Sequence, residues 1–376
     1  MIIGVPKEIK VHEYRVGMTP SSVKEVTSAG HRVYIEKAAG EGIACSDQEY
    51  IDAGATILDT AEEIFATTEM IVKVKEPLAV ERAMLRPDQL LFTYLHLAPD
   101  MEQTEDLINS KAVCIAYETV TNVNGGLPLL APMSEVAGRM SIQAGAACLE
   151  KSHGGVGLLL GGVAGVAPAK VVIIGGGVVG CNAAQMAIGL GADTTIVDNN
   201  IDTLRKVNVQ FGSAIKTVYS NKYNLETLVV DADLVIGGVL IPGAAAPKLI
   251  SADMIKKMRP GSAVVDVAID QGGCFATSKA TTHSDPTYIV DDVVHYCVAN
   301  MPGAVARTSA FALNNATLPY ILRLAKLGYK EALLADPHFK NGLNVIHGKV
   351  TNKSVSESLN IPFVCPDEAL SIPFVG

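Results

Sequence analysis

A run of glycines and four charge-bearing side chains stand just beyond apolar stretches of this sequence, where chemistry at the ends of strands is to be sought. Residues 171–180 read VVIIGGGVVG, which sets Gly175, Gly177 and Gly180 at G-x-G-x-x-G spacing between an apolar strand and the helical stretch CNAAQMAIGLGA. That spacing suits a dinucleotide. Gly175 permits a tight turn, Gly177 lets the backbone approach a pyrophosphate, Gly180 allows close helix–strand packing, and the helix N-terminus meets the phosphate charge. The next strand, TTIV, ends at Asp198, at the interval where a carboxylate accepts hydrogen bonds from a ribose hydroxyl and disfavours a 2′-phosphate. NAD is therefore expected rather than NADP. Val239 and Leu240 follow ADLVIGG, and Val267, Ala268, Ile269 and Asp270 end AVVDVAID. Both segments fall at carboxyl ends of strands, where they would border the nicotinamide half.

In the first part of the chain Arg15 follows IIGV and its loop, Lys75 ends MIVKV and His96 ends LLFTYL. In a parallel α/β sheet those strand ends share one edge, and Asp270 takes the corresponding edge of a second sheet. A guanidinium grips a carboxylate with two parallel hydrogen bonds, an ammonium polarises a carbonyl, and a histidine and an aspartate exchange protons. Each has a plainer reading: Arg15 as a surface partner of Glu8 or Glu13, Lys75 as a solvated charge, His96 as a satisfied histidine, Asp270 as a turn former. Arg139, Glu118, Glu135, His153, His283 and His295 read as structural. No H-x-x-x-H, H-E-x-x-H or acidic cluster occurs, and no metal is expected.

The elements that must position these groups alternate. IIGV, VYIE, MIVKV, LLFTYL and VCIAY read as strands in the first part, with helix starts at Thr19-Pro20, at Ser46 with Glu49, and at Thr60 with Glu63. Residues 131–152 read as one long helix. The alternation resumes with KVVIIG, TTIVD, a helix from about Asp202, ADLVIGG, SAVVDVAID and YIV, and from about Thr308 the chain turns helical with TSAFALNNATLPYILRLAKLG. The expected fold is α/β with two doubly wound domains joined by long helices: a flavodoxin-like substrate and catalytic domain (1–130 with 305–376) and a Rossmann NAD-binding domain (131–304).

Composition agrees with a folded enzyme. Of 376 residues 49% are hydrophobic and 18% charged, enough for two cores and unlike a disordered chain. With 39 acidic against 30 basic residues and no basic cluster, nucleic acid is not an expected partner. Seven cysteines without a C-x-x-C pair point to a reducing compartment, and MIIGVPKEIK reads as a strand rather than a secretion signal, so a cytoplasmic protein is expected. Between Lys151 and Asp193 the only Lys, Arg, Asp or Glu is Lys170, but Gly161, Gly162, Gly165, Gly175, Gly176, Gly177 and Gly180 divide that stretch into loop, strand, turn and helix, and no membrane association is expected.

GVPKEIKVHEYRVGMTP, IVKVKEP, LFTYLHLA, IAYETV, LPLLAPMSEVAGR, VVIIGGGVVG, DVAIDQGGC and YCVANMPGAVARTS together resemble the alanine dehydrogenase and pyridine nucleotide transhydrogenase family over essentially the whole chain. The resemblance implies NAD-dependent interconversion of L-alanine with pyruvate and ammonia. It implies that Arg15 and Lys75 bind the keto acid's carboxylate and carbonyl, that His96 and Asp270 are the acid/base pair, and that Met133 and Asn300 line the site. It further implies NAD contacts from Ser134, Val178, Val179, Asp198, Ser220, Val239, Leu240, Val267 to Asp270, and Val298, Ala299, Asn300 and Met301, in a homohexamer. Where the family carries basic cofactor contacts this chain has Thr203, which is left out, and Lys279, which is kept. The positions of a magnesium pair found in some members hold Arg323 and Leu327, which cannot be its ligands. The alternative is the NAD(H)-binding component of a proton-translocating transhydrogenase, which would not need the full set of Arg15, Lys75, His96 and Asp270. A noncatalytic NAD sensor and a dehydrogenase for a larger amino acid are further readings.

Overall fold

The computed structural model describes residues 1–239 and 246–372 and divides into two compact units, Met1–Met133 with the chain from Val305 onward, and Ser134–Ala304. In the first, strands β1 (Ile2–Val5), β2 (Arg32–Glu36), β3 (Thr56–Leu58), β4 (Met70–Val72), β5 (Leu90–Thr93) and β6 (Val113–Ala116) run parallel. The second holds β7 (Lys170–Ile174), β8 (Asp193–Asp198), β9 (Lys216–Tyr219), β10 (Leu234–Gly237), β11 (Ala263–Asp266), β12 (Thr287–Val290) and β13 (Val293–Tyr296). The chain then returns to the first unit, where β14 (Leu343–Ile346) adds antiparallel to β6 and β15 (Lys349–Val350) antiparallel to β14.

The first sheet has the order β15-β14-β6-β5-β4-β1-β2-β3. The five strands legible in the sequence pair as β2-β1-β4-β5-β6, the flavodoxin-like succession. The short edge strand β3, whose pattern is too brief to read, extends it to the six-strand order usual for dinucleotide folds. The second sheet, β12-β13-β11-β10-β7-β8-β9, is parallel except for the edge hairpin of β12 and β13. Each sheet reverses direction of growth at its first strand, β1 or β7, and the crevice beyond the carboxyl ends there is where such folds take ligands.

Parallel strands are buried on both faces, and that is why they read as unbroken apolar runs. Along β7, Val171 and Ile173 enter one core with Ile196, Ile236 and Val265, while Val172 and Ile174 enter the opposite one with Val197, Val235 and Val264. Each fully buried side chain of this kind contributes about 1.5–3 kcal/mol. Helix starts follow local rules: the Thr19 hydroxyl accepts from Ser22 N–H ahead of Pro20, and Ser46 with Glu49 and Thr60 with Glu63 close reciprocal capping boxes.

Two helices depart from the sequence reading. The one from Ala131 stops at Cys148 rather than 152, because the chain folds back on itself: Gly155 packs so closely on Leu149 that a Cβ there would stand 2.2 Å from its carbonyl carbon. The helix Ala306–Leu334 is interrupted at Gly328 (φ 73°, ψ 163°), and a short helical stretch continues past the expected end. Among the described residues no helix is long and apolar enough to cross a membrane.

Candidate active site

In the first unit the ends of β1, β4 and β5 gather the expected groups. Gly17 lies so close to β4 that a Cβ would stand 2.3 Å from the Val72 carbonyl oxygen, and this packing brings the Arg15 loop to the end of that strand. Arg15 is 3% exposed, not a surface residue. Its Nε and Nη2 donate to Glu13 Oε1 (2.6 Å) and Oε2 (2.5 Å), and Nη1 lies 3.0 Å from Met133 Sδ. Burial opposes the guanidinium charge, but Glu13 outweighs it and holds the group above its ordinary range.

Lys75 lies just past β4, 17% exposed at its side chain, with Nζ 3.9 Å from Glu76 Oε2. His96 lies just past β5 in the left-handed region (φ 51°) with its side chain 47% exposed. An exposed ring on a strained backbone is the opposite of a satisfied core histidine. The strain is held by Glu118, on a turn after β6: its carboxylate accepts the N–H groups of Leu95 (3.2 Å) and His96 (2.6 Å) and stands 3.9 Å from His96 Nδ1. Tyr94 stacks on the His96 ring (5.8 Å between centroids, 6° between planes) and donates to the Leu129 carbonyl at 2.6 Å. Burial, and more weakly the Glu118 charge, hold the Tyr94 phenol up, although Arg15 pulls it down.

In the second unit the glycines behave as the fingerprint demands. Gly175 has φ 100°, and a Cβ on Gly180 would stand 1.8 Å from the Gly175 carbonyl oxygen, so neither position admits a side chain. At Gly177, the N-cap of the helix Val178–Gly189, a Cβ would meet nothing within 4 Å, and the cap brings no side chain to the first helical turn. This open backbone at a helix N-terminus fits a pyrophosphate. Val178 is 45% exposed there, while Val179 is buried. The Asp198 carboxylate ends β8, accepts Gly176 N–H and Asn200 N–H, both at 2.8 Å, and thus stands against the glycine turn. Ser220 N–H donates to the Asp198 carbonyl at 2.9 Å.

Val239 follows β10 and packs against one core; Leu240 lies outside the described residues. The segment Val267–Gln271 is a single 3-10 turn with Ala268 and Ile269 buried and Asp270 exposed. Asp266, fully buried at its start, accepts Ala268 N–H (3.1 Å), Cys274 N–H (2.9 Å) and the Ser278 hydroxyl (2.5 Å) and so anchors the loop bearing Asp270. Val298 and Met301 are buried in the core. Between them Ala299 N–H donates to Thr281, and Asn300 (φ 62°) accepts from His283 Nε2 at 3.1 Å through its carbonyl. Lys279 stands over the Tyr288 ring, 4.6 Å from its centroid. Ser134 is half-buried at the start of this unit. Among the described residues no cluster of three or more His, Cys, Asp or Glu groups could hold a metal ion.

Sequence reasoning missed Tyr94, Thr93 and Asp266, read Glu118 as structural, and took Glu8 and Glu13 only as surface partners of Arg15. Glu118, Glu8 and Thr93 act on residues that only the fold brings near, while Tyr94, Glu13 and Asp266 act on neighbours two residues away without any motif that marks the pairing.

Both units match known domain families. The family model described as alanine dehydrogenase/PNT, N-terminal domain, matches residues 4–137, and that of the C-terminal domain matches residues 141–353. The chain belongs to the alanine dehydrogenase/PNT family. Relatives in this family include an alanine dehydrogenase of Halomonas elongata, 57% identical over 97% of this chain and 98% of its own. One from Methanococcus maripaludis is 55% identical over 99% of this chain and 100% of its own. A solved L-alanine dehydrogenase superposes with a TM-score of 0.93 at 52% identity, covering 96% of this chain and 99% of that one.

Proposed function

We propose that this chain is an NAD-dependent L-alanine dehydrogenase: L-alanine, NAD and water give pyruvate, NADH, ammonium and a proton, and the reverse reaction is a reductive amination. The observation that carries it is the joint presence of the glycine turn with Asp198 and of the Arg15, Lys75 and His96 set, at 52–57% identity to enzymes of that name. Residues 131–304 hold NAD, and 1–130 with 305–376 hold the substrate.

NAD, when bound, accepts the hydride from the alanine Cα. It would be held by Gly175, Gly177, Gly180, Val178 and Val179 at the pyrophosphate, by Asp198 and Ser220 at the ribose, and by Ser134, Val239, Leu240, Val267–Asp270, Lys279 and Val298–Met301 along its length. Arg15 takes the substrate carboxylate, with Met133 and Asn300 against the substrate. Lys75 polarises the oxygen that becomes the pyruvate carbonyl, and His96 exchanges a proton with it. Asp270 orients the water that adds to the iminium and the ammonia that leaves. The enzyme is a cytoplasmic homohexamer with a place in L-alanine catabolism, and light scattering should return six times the chain mass. The deciding assay is NADH oxidation with pyruvate and ammonium. Turnover is expected; none, or turnover only with a bulky keto acid, overturns the reading.

A further inference from the structure

We propose that the buried charges Glu8, Lys73 and Glu81 are positioning residues for Lys75, fixing its backbone so that its ammonium is aimed at the substrate oxygen. The inference rests on the alanine dehydrogenase reading above.

Lys75 stands where regular pairing gives out. β4 ends at Val72, and the last ladder bonds run from Lys73 N–H to the Phe92 carbonyl (3.2 Å) and from Tyr94 N–H to the Val74 carbonyl (3.3 Å). Beyond them side chains take over. Glu8 Oε1 accepts the N–H groups of Val74 (2.7 Å) and Lys75 (3.3 Å), and on the other side the Thr93 hydroxyl donates to the Lys75 carbonyl at 3.0 Å. Both backbone groups of Lys75 are therefore held by side chains. Glu8 is held in turn: its Oε2 accepts from Lys73 Nζ at 3.1 Å, Lys73 Nζ also donates to Glu81 Oε1 at 2.5 Å, and Glu81 Oε2 accepts Leu78 N–H at 2.8 Å.

All three charged side chains are at most 2% exposed. Burial opposes the Lys73 charge, yet its two carboxylates hold the ammonium above its ordinary range. Burying three charges is a poor way to gain stability, because well-packed apolar groups of similar volume commonly do as well. What the charges supply instead is a fixed oxygen. Glu8 is aimed through Lys73 and Glu81 at two amide groups that a frayed strand end would leave to water. A reacting group displaced by about 1 Å can lose about 10²-fold in rate, so the fixed backbone matters to Lys75 more than to its neighbours.

The test is kinetic, on the full chain, with Glu8→Gln and Thr93→Val made alone and in a Lys75→Ala background. Gln at position 8 keeps one acceptor but turns an amide donor toward Lys73 Nζ; Val at position 93 removes only the hydroxyl and leaves the buried charges untouched. Each single variant should lower kcat/KM for pyruvate by about 10- to 10²-fold and weaken pyruvate binding to the NADH complex, while NADH affinity stays within about two-fold. In the Lys75→Ala background either change should cost less than about two-fold, since the group it positions is gone. An equal loss in that background, or unchanged kinetics with a lower melting temperature, overturns the proposal. If Glu8→Gln does not fold, Glu81→Gln, which loosens Glu8 only through Lys73, decides by the same comparison. Absence of turnover in the wild type removes the enzymatic reading and this inference with it; wild-type turnover with unaltered variants removes only the inference.

Discussion

His96→Gly tests the site most sharply, because it should remove activity while leaving stability almost unchanged. A non-glycine residue in the left-handed region costs about 1–2 kcal/mol, and His96 sits there at φ 51°. Glycine relieves that strain but gives back about 0.5–1 kcal/mol through the greater freedom of the unfolded chain. The stacked contact with Tyr94 is lost as well, worth about 0.5 kcal/mol for a ring that is 47% exposed. These contributions cancel to within about 1 kcal/mol, or about 3 °C in melting temperature. A positioned acid/base contributes about 10²- to 10⁴-fold in rate, so turnover should fall by at least about 10²-fold in both directions. Initial rates with pyruvate and ammonium and with L-alanine, alongside calorimetric melting and NADH fluorescence titration, measure all three quantities. A melting temperature lowered by more than about 5 °C, with near wild-type turnover in the folded fraction, would show a structural histidine and refute the reasoning.

Other perturbations follow from the same geometry. Asp198→Ala removes the ribose acceptor, a bond worth about 1.5–3 kcal/mol, so NADH should bind about 10- to 10²-fold more weakly and the preference over NADPH should narrow; equal use of both by the wild type would contradict the assignment. Glu118→Ala leaves the N–H groups of Leu95 and His96 without their carboxylate, for a loss of about 2–4 kcal/mol by denaturant titration and a fall in kcat; an unchanged denaturation midpoint would count against that role. Burial pushes the Cys114 and Cys148 thiols up to about 12, so at pH 8 both stay protonated and unreactive, whereas Cys365 is exposed. Mass spectrometry after iodoacetamide should therefore find Cys365 modified in the native protein, and Cys114 and Cys148 only after unfolding.

What the sequence determined by itself was whatever acts over a few residues. Gly175, Gly177 and Gly180 were legible because a left-handed turn and a close packing exclude a side chain at the first and last, while at the second a bare backbone leaves the helix start open to a ligand. Thr19, Ser46 and Thr60 were legible because a cap bonds to an amide three residues on. The long strands announced themselves by apolar runs, and family resemblance added residues no pattern singles out, such as Met133. Tertiary structure alone decided the rest. The strand Thr56–Leu58 is too short to carry a pattern and exists because β2 offers it an edge. Glu118 meets His96 only because β6 pairs with β5, and Glu8 meets Val74 across a separation of 66 residues only because β1 pairs with β4. A carboxylate has the same local signature wherever it falls in a chain, and what it does is set by the amide or ammonium that the crossover brings to it.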